Sequence, residues 1–484
     1  MNLFTRLAVA LFPGAFEDYF EAERLSLSRS WRSAPLQDAR LDIARSTRVT
    51  LQGKSRDWER NSPLYAALAD GWEQNVVGTG LQFKSASSNP AWNAVADDVY
   101  EQWKGVADIQ SRFGWDNLQG VIARAVFVDG ESFIQLTMEG SFPRVQVIEA
   151  HACETPDDRK AEEGKTICDG VQLDGSFARP VGYWFKSANK PQLIDAKNVI
   201  HIFEPGRIGQ FRGIPYCAPA LNVIHDLHDL RDLEMKAAKD AAELSTIIKT
   251  ASGEMPTALA TMAQKFATAA PGGSSVGDSK RLWYQTAYGG RNMVLQRGDE
   301  ATQHVPTRPG ADTREYWRLL ASEICAVSGI PLALIYPESV QGTVYRGALD
   351  NAAAFFRAKT AVFATYFRRV RNFVIQQEAR NNPKLRTLPD GWRKVTTGSV
   401  RAPNADAGRK SQAMIAELAA GLRTWSQIAA ELGLDGRELL RQKADELVFI
   451  KQLAEERGLN PADIASATLQ VLQQSQPAPP NDPE

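Results

Sequence analysis

The chain has 484 residues, enough for roughly two to four domains or subdomains, and its 56 Lys and Arg against 57 Asp and Glu exclude a globally basic nucleic-acid binder while leaving room for local charged surfaces. Four cysteines, Cys153, Cys168, Cys217 and Cys325, stand far apart with no C-x-x-C pair, so neither a zinc site nor a disulfide framework is signalled and a reduced, cytosolic setting fits. No apolar run approaches the ~18 residues that a membrane span needs.

Arg6 ahead of Leu7-Ala8-Val9-Ala10-Leu11-Phe12 has a superficial signal-peptide look, but Pro13, Glu17 and Asp18 interrupt the run and no cleavage site is clear. Residues 1–20 therefore read as an amphipathic helix or arm. The Ser/Arg-rich stretch 21–56 reads as an extended arm with Trp31 as its aromatic anchor. From Arg56 the pattern turns helical through Leu64, Leu68, Trp72 and Val76 and stops at Gly78-Thr79-Gly80, after which Leu81-Gln82-Phe83-Lys84 alternates like a strand. Two more helices carry Trp92, Val95, Val99 and Trp103, then Leu118, Ile122 and Val126. Strands are expected at 133–136, 145–148, 182–185 and 199–203, joined by polar turns such as Asp129-Gly130-Glu131-Ser132. The block to about Arg212 is an α+β domain.

Pro215 and Pro219 introduce a long helix over 218–250, about 50 Å at 1.5 Å per residue, with an apolar stripe of Leu221, Ile224, Leu227, Leu230, Ala237, Ala241, Leu244 and Ile248. Its other faces are acidic in excess: Asp226, Asp229, Asp232, Glu234, Asp240 and Glu243 against Arg231, Lys236 and Lys239. Segment 251–310 reads as a small projecting insertion, with a Pro271-Gly272-Gly273-Ser274-Ser275 loop and short strands at 282–284, 293–295 and 302–305. A helix from 312 to 327 follows, with Asp312 and Glu315 spaced as a capping box, and Gly329 and Pro331 end it. After the polar connection through Val340-Gln341-Gly342-Thr343-Val344, Leu349, Ala353, Phe356, Thr360, Phe363, Phe367, Val370 and Val374 make the stripe of a second long helix. Arg346, Arg357, Lys359, Arg368, Arg369 and Arg371 are placed on its opposite side. Asn381-Asn382-Pro383 breaks that helix. Residues 384–403 are mixed, and 404–465 are helical through Ala413, Ile415, Leu418, Leu422, Trp425, Ile428, Leu432, Leu439, Leu440, Leu447 and Ile450. The Pro-rich tail at 473–484 has a disordered composition.

Catalytic signals fail on inspection. Gly53-Lys54-Ser55 resembles the end of a phosphate-binding loop, but Arg48 stands where the first glycine is needed for backbone amides to wrap a phosphate. His225 and His228, with Asp226 and Asp229 beside them, have a spacing that suits a metal and equally a charged helix face. No nucleophile elbow or paired acid and base emerges, so an enzyme is not supported and no cofactor is expected.

Several strings, in this order along the chain, resemble the lambda-like family of tailed-phage portal proteins. They are Arg60-Asn61-Ser62-Pro63-Leu64-Tyr65-Ala66 with Asn75-Val76-Val77-Gly78, then Asp129-Gly130-Glu131-Ser132-Phe133. His201-Ile202-Phe203-Glu204-Pro205 with Gly209-Gln210-Phe211-Arg212-Gly213 is the most specific, and Gly329-Ile330-Pro331 and Gly421-Leu422-Arg423-Thr424-Trp425 follow. The resemblance spans roughly residues 25 to 460. It implies an α+β portal fold: an N-terminal arm (1–24), an α/β wing (25–212), a stem helix (213–250), a small β-containing clip (251–311), a second stem helix (312–329), a tunnel loop (330–345), a long wing helix (346–380), a wing return (381–403), a helical crown (404–465) and a tail (466–484).

The resemblance further implies a dodecameric ring at a capsid vertex of the virion, assembled in the host cytoplasm, through which double-stranded DNA is packaged and ejected without sequence specificity. Implied partners are further copies of the chain, the terminase large subunit, a head-completion or adaptor protein, and the major capsid and scaffold proteins; no membrane is involved. Because sliding DNA is hindered by fixed phosphate contacts, the acidic helix face is expected to turn some of Asp226, Asp229, Asp232, Glu234, Asp240 and Glu243 to the bore, with subunit ion pairs as the alternative. Ser339, Val340, Gln341, Gly342, Thr343, Tyr345 and Arg346 are the loop candidates. Tyr345 and Arg346 either touch DNA or anchor the loop, and Asp350 four residues on favours anchoring for Arg346. Arg368, Arg369 and Arg371 are expected at an interface with a neighbour or the capsid. Competing readings are a soluble α+β enzyme with a helical accessory domain and another head-tail connector component.

Overall fold

The computed structural model describes residues 38–156, 164–186, 190–249, 283–285, 291–295, 311–339, 342–398, 400, 407–431 and 436–458. The segment 1–37, the expected strand at 302–305 and the tail lie outside them. A polar helix, α1 (Arg45–Asn61), opens the body, which corrects the expectation of an extended arm as far as residue 56. No apolar stripe announces it, because its buried positions are Arg48, Gln52 and Ser55. Hydrogen bonds hold that face instead: Gln52 Nε2 donates to the Asp129 carbonyl at 2.8 Å, and Ser55 Oγ lies 2.6 Å from the Tyr65 hydroxyl.

α2 (Pro63–Val76) starts where the Ser62 hydroxyl accepts the Tyr65 N–H and Pro63 supplies a preset φ at the first position. β1 (Phe83–Ser85) follows, and α3 (Pro90–Lys104) repeats the device with Asn89 Oδ1 accepting from Ala91 and Trp92. α4 (Trp115–Asp129) ends at Gly130, φ +87°, where a Cβ would collide with the Ile214 backbone. The chain then enters β2 (Glu131–Glu139) and β3 (Phe142–Glu149). β4 (Lys165–Cys168), β5 (Val171–Asp174), β6 (Pro180–Phe185) and β7 (Gln192–Asp195) make an antiparallel meander, and β8 (Val199–Phe203) returns to pair with β2, giving a sheet of order β3-β2-β8.

α5 (Leu221–Glu243) is shorter than the expected 218–250, about 34 Å at 1.5 Å per residue. Its end is dictated by Thr246-Ile247-Ile248, a β-branched run within β9 (Leu244–Lys249). That strand joins β10 (Trp283–Gln285) and β11 (Arg291–Leu295) in a small sheet of order β10-β11-β9. α6 (Ala311–Ser328) returns alongside α5. α7 (Thr343–Asn381) crosses the body, burying Leu349, Ala352, Phe356, Thr360, Phe363, Phe367, Val370 and Val374. Ala352, not Ala353, occupies the second buried position. Phe367 meets the fully buried Trp115 edge-on at 5.4 Å, and this seam joins α7 to the core of α2, α3 and α4.

Arg371 was expected on the exposed side of α7 and is instead wholly buried. Its guanidinium bonds the Trp392 carbonyl at 3.1 Å and the Ser85 hydroxyl, so it clips β1 to the segment leading into β12 (Val395–Thr397), the antiparallel partner of β1. Burial lowers its pKa, with Asp97 acting the other way. Three C-terminal helices, α8 (Ala407–Ala419), α9 (Trp425–Glu431) and α10 (Gly436–Arg457), complete the described chain. In α8 Met414 is buried, whereas the expected Ala413, Ile415 and Leu418 are exposed.

Candidate functional site

The connection between α6 and α7 is built from packed pieces and is shorter than the sequence suggested. α6 stops because Gly329 adopts φ +70° and the Phe355 ring of α7 lies where a Cβ would sit. Ser328 Oγ donates to the Cys325 carbonyl at 2.8 Å and accepts the Ile330 N–H at 3.2 Å, which fixes the turn. Ile330 and the short helix Leu332–Ile335 pack on α2 beside Gly71, and the Tyr336 ring rests edge-on against Trp317 of α6 at 5.4 Å. Residues 330–336 thus belong to the core, because Ile330, Leu332 and Ala333 are apolar and find partners there. Ser339 ends a 3-10 turn, Pro337–Ser339, and its side chain lies outside the described ones, as do Val340 and Gln341 altogether. Gly342, φ +69°, precedes α7, so Thr343, Tyr345 and Arg346 are residues of a helix and not of a loop. Thr343, Val344, Arg346 and Gly347 are exposed, and the first buried residue of α7 is Leu349.

Behind this turn, Lys359 of α7 is bonded to Glu204 and lies 5.2 Å from the centroids of both Tyr216 and Phe355. Burial opposes its charge, but the Glu204 and Tyr216 hydrogen bonds outweigh that and raise its pKa. The expected basic face thereby loses Lys359 to an internal pair and Arg371 to the core, while Arg368 and Arg369 remain exposed. The Lys359 pair had no signal beyond the position of Glu204 in the string His201 to Pro205.

On α5, Asp226, Asp229 and Asp232 are exposed, and their i, i+3, i+6 spacing spreads them across one broad face of about 120°. Glu234 is half-buried and off that face; Asp240 and Glu243 belong to the same helix, with side chains outside the described ones. His225 Nδ1 lies 3.2 Å from Asp229 and His228 Nδ1 3.5 Å from Asp232, with both rings against Trp58 of α1. Among the described residues no group of three His, Cys, Asp or Glu is arranged for a metal, and no helix is long and apolar enough to cross a membrane.

Both helices spring from a body locked by a buried ionic cluster. Glu131, wholly buried, accepts from Arg212 Nη2 at 2.6 Å, from the Gly213 N–H at 2.7 Å and faces His201 Nε2 at 2.9 Å. Arg48 lies 3.6 Å from Glu131 and binds Asp169 at 2.6 Å, so two guanidiniums meet two carboxylates. Burial alone would raise the pKa of Glu131, but the charge of Arg212 and the bond to His201 outweigh it and hold the carboxyl at about 2. Burial lowers the pKa of His201, with Glu131 acting the other way. The cluster joins the Asp129-Gly130-Glu131-Ser132 turn to Arg212-Gly213, two strings far apart in sequence.

A model of the family described as phage portal protein, lambda family, matches residues 24–346, from ahead of α1 to the first turn of α7. The chain belongs to the lambda family of phage portal proteins. Among its portal relatives, a probable portal protein of Halomonas phage phiHAP-1 is 21% identical over 249 residues, covering 46% of this chain and 48% of that protein. The chain thus spans about half the length of the curated relative it matches. Similar solved structures include a chain from the neck of the native gene transfer agent particle with C12 symmetry (TM-score 0.47, 13% identity, 81% of this chain and 94% of that one). Another comes from the virion of the native particle (TM-score 0.41, 14% identity, 80% and 93%).

Proposed function

We propose that copies of this chain assemble into a twelve-membered ring at a capsid vertex, the channel through which double-stranded DNA is packaged and ejected. The observation that carries the reading is the family match, which takes in the body, α5, α6 and the turn into α7. In this reading residues 25–212, the long helix over 346–380 and the return over 381–403 belong to the wing, 213–250 and 312–329 form the stem, 251–311 the clip, and 404–465 the crown. The clip meets the terminase large subunit during packaging and an adaptor protein afterwards, while capsid and scaffold proteins surround the wing. The protein itself is a conduit and not an enzyme.

The turn from Ser339 to Arg346 points to the DNA, and the face of Asp226, Asp229 and Asp232, continued by Asp240 and Glu243, lines the bore with Glu234 at its margin. Carboxylates there repel phosphates, and a ring multiplies each contact, so the duplex slides without a strong fixed hold. Arg368 and Arg369 meet a neighbouring copy or the capsid. Mass measurement and negative-stain microscopy of the purified protein test the assembly. Rings with a central hole are expected, and a compact monomer at every concentration and salt would overturn it. A ring structure with all six acids turned into subunit contacts would remove the repelling bore.

A further inference from the structure

An open pocket of ≈ 270 Å³ lies along β8, where the alternation of the strand puts Val199, His201 and Phe203 on one face. Tyr183 of β6, Phe203 and Phe211 give it aromatic walls, and Arg369 of α7 lines it as an exposed cation with no ion pair among the described residues. His201 is its buried polar member. The ring is stacked between Phe133 and Phe203, at 4.3 and 4.4 Å, and is held in place by them. Burial lowers its pKa and keeps it neutral at pH 7, and Nε2 faces the Glu131 carboxylate at 2.9 Å, so Nε2 carries the proton. Nδ1 is left as an acceptor with no hydrogen-bond partner among the described residues. The pocket therefore suits a flat ring that brings a proton for Nδ1 and negative charge for Arg369.

We propose that the chain's own stretch 16–23 docks in this pocket, with the Tyr19 ring between the aromatic walls, its hydroxyl donating to His201 Nδ1, and the flanking Asp18 and Glu21 toward Arg369. Phe16-Glu17-Asp18-Tyr19-Phe20-Glu21-Ala22-Glu23 combines three aromatic rings with four carboxylates and no cation. Trp31, the other ring of 1–37 with an N–H to donate, stands between Arg29 and Arg32, which would meet Arg369 with like charge. The described chain begins at Asp38, and Ala39 and Arg40 line a second pocket that shares Phe211 with the first. Tyr19 lies 19 residues ahead of Asp38, a length that spans at most about 65 Å, so the stretch reaches the pocket of its own copy. Tethering on one chain then gives an effective concentration on the order of millimolar. In the portal reading Arg369 is thus held before a neighbouring copy or the capsid competes for it, and the docking itself needs no ring.

The test is hydroxyl-radical footprinting of the full chain, with mass spectrometry reading the oxidation of Tyr19, Phe203 and Phe211. Tyr19 is expected to oxidise at least about threefold more slowly in the wild type than in Arg369→Glu, with Arg368→Glu, on the exposed neighbour, leaving it nearly unchanged. Phe203 and Phe211 are expected to become more reactive in Tyr19→Ala, and Tyr19→Phe, which keeps the ring and loses the hydroxyl, to weaken the docking about fivefold. Asp18→Lys and Glu21→Lys combined with Arg369→Glu exchange the charges and should restore the protection. Equal oxidation of Tyr19 in the wild type and Arg369→Glu, or protection of Trp31 in its place, overturns the inference. So does loss of protection when the unassembled chain is diluted about a hundredfold, which would give the pocket to another copy. Rings that form with Tyr19 fully reactive sink the docking and leave the channel, whereas a protected Tyr19 in a permanent monomer sinks the channel and leaves the docking.

Discussion

Replacing Glu131 with Gln keeps the volume of the side chain and removes one of the four charges buried beneath β2. Arg48 and Arg212 are then left with Asp169 alone, so a guanidinium stays buried without its carboxylate. Breaking a buried pair in this way costs about 3–5 kcal/mol. The carboxyl held at about 2 against an ordinary 4.5 gives an independent figure of the same order, about 3 kcal/mol. Because the folded pKa is depressed, this contribution is full above about pH 4.5 and is lost as pH falls toward 2. His201, depressed by burial, acts with the same sign from about pH 6.5 downward, since the unfolded imidazole takes up its proton first. Thermal unfolding read by tryptophan fluorescence at pH 7 should show a midpoint lowered by roughly 6–20 °C, at 2–4 °C per kcal/mol for a body of this size. The gap between wild type and variant should narrow between pH 4.5 and 2. Adding Arg212→Met to Glu131→Gln leaves Arg48 and Asp169 as a neutral pair and should recover part of the loss. A midpoint within about 2 °C of wild type, with the same acid profile, would refute the cluster as the lock of the body.

Phe367→Ala, which empties the seam between α7 and Trp115, should cost about 3–5 kcal/mol in the same assay. Lys359→Met strands Glu204 in a partly buried site and should cost about 1–3 kcal/mol, with exchange quickened locally around 199–204 and 355–360. Gly130→Ala meets the Ile214 backbone at a positive φ, and soluble expression should fall sharply, whereas Gly140→Ala, also at positive φ but in open space, should be tolerated far better.

What the sequence revealed follows from how each element is stabilised. α2, α3, α4, β2, β3, β6 and β8 bury apolar residues at helical or strand spacing, and the stripes of Leu64 to Val76 or Val199 to Phe203 show it. The part of α1 before Arg56 carries no helical signal because its inward face is Arg48, Gln52 and Ser55, whose partners include Glu131, Asp129 and Tyr65. Arg371 reads as a surface residue for a related reason. A guanidinium reads as solvent-facing unless one knows that the Ser85 hydroxyl and the Trp392 carbonyl await it.

The same physics separates the two ends of the α6–α7 connection. Glycines mark both, and periodicity alone gives them the same weight. Gly329 is demanded by the structure, since its φ is positive and the Phe355 ring occupies the place of its side chain; substitution there displaces a ring that also touches Trp72. Gly347 is demanded by nothing static, because a methyl group would enter open space and favour the helix. Packing therefore fixes glycine at the Gly329 corner and leaves position 347 open to a side chain.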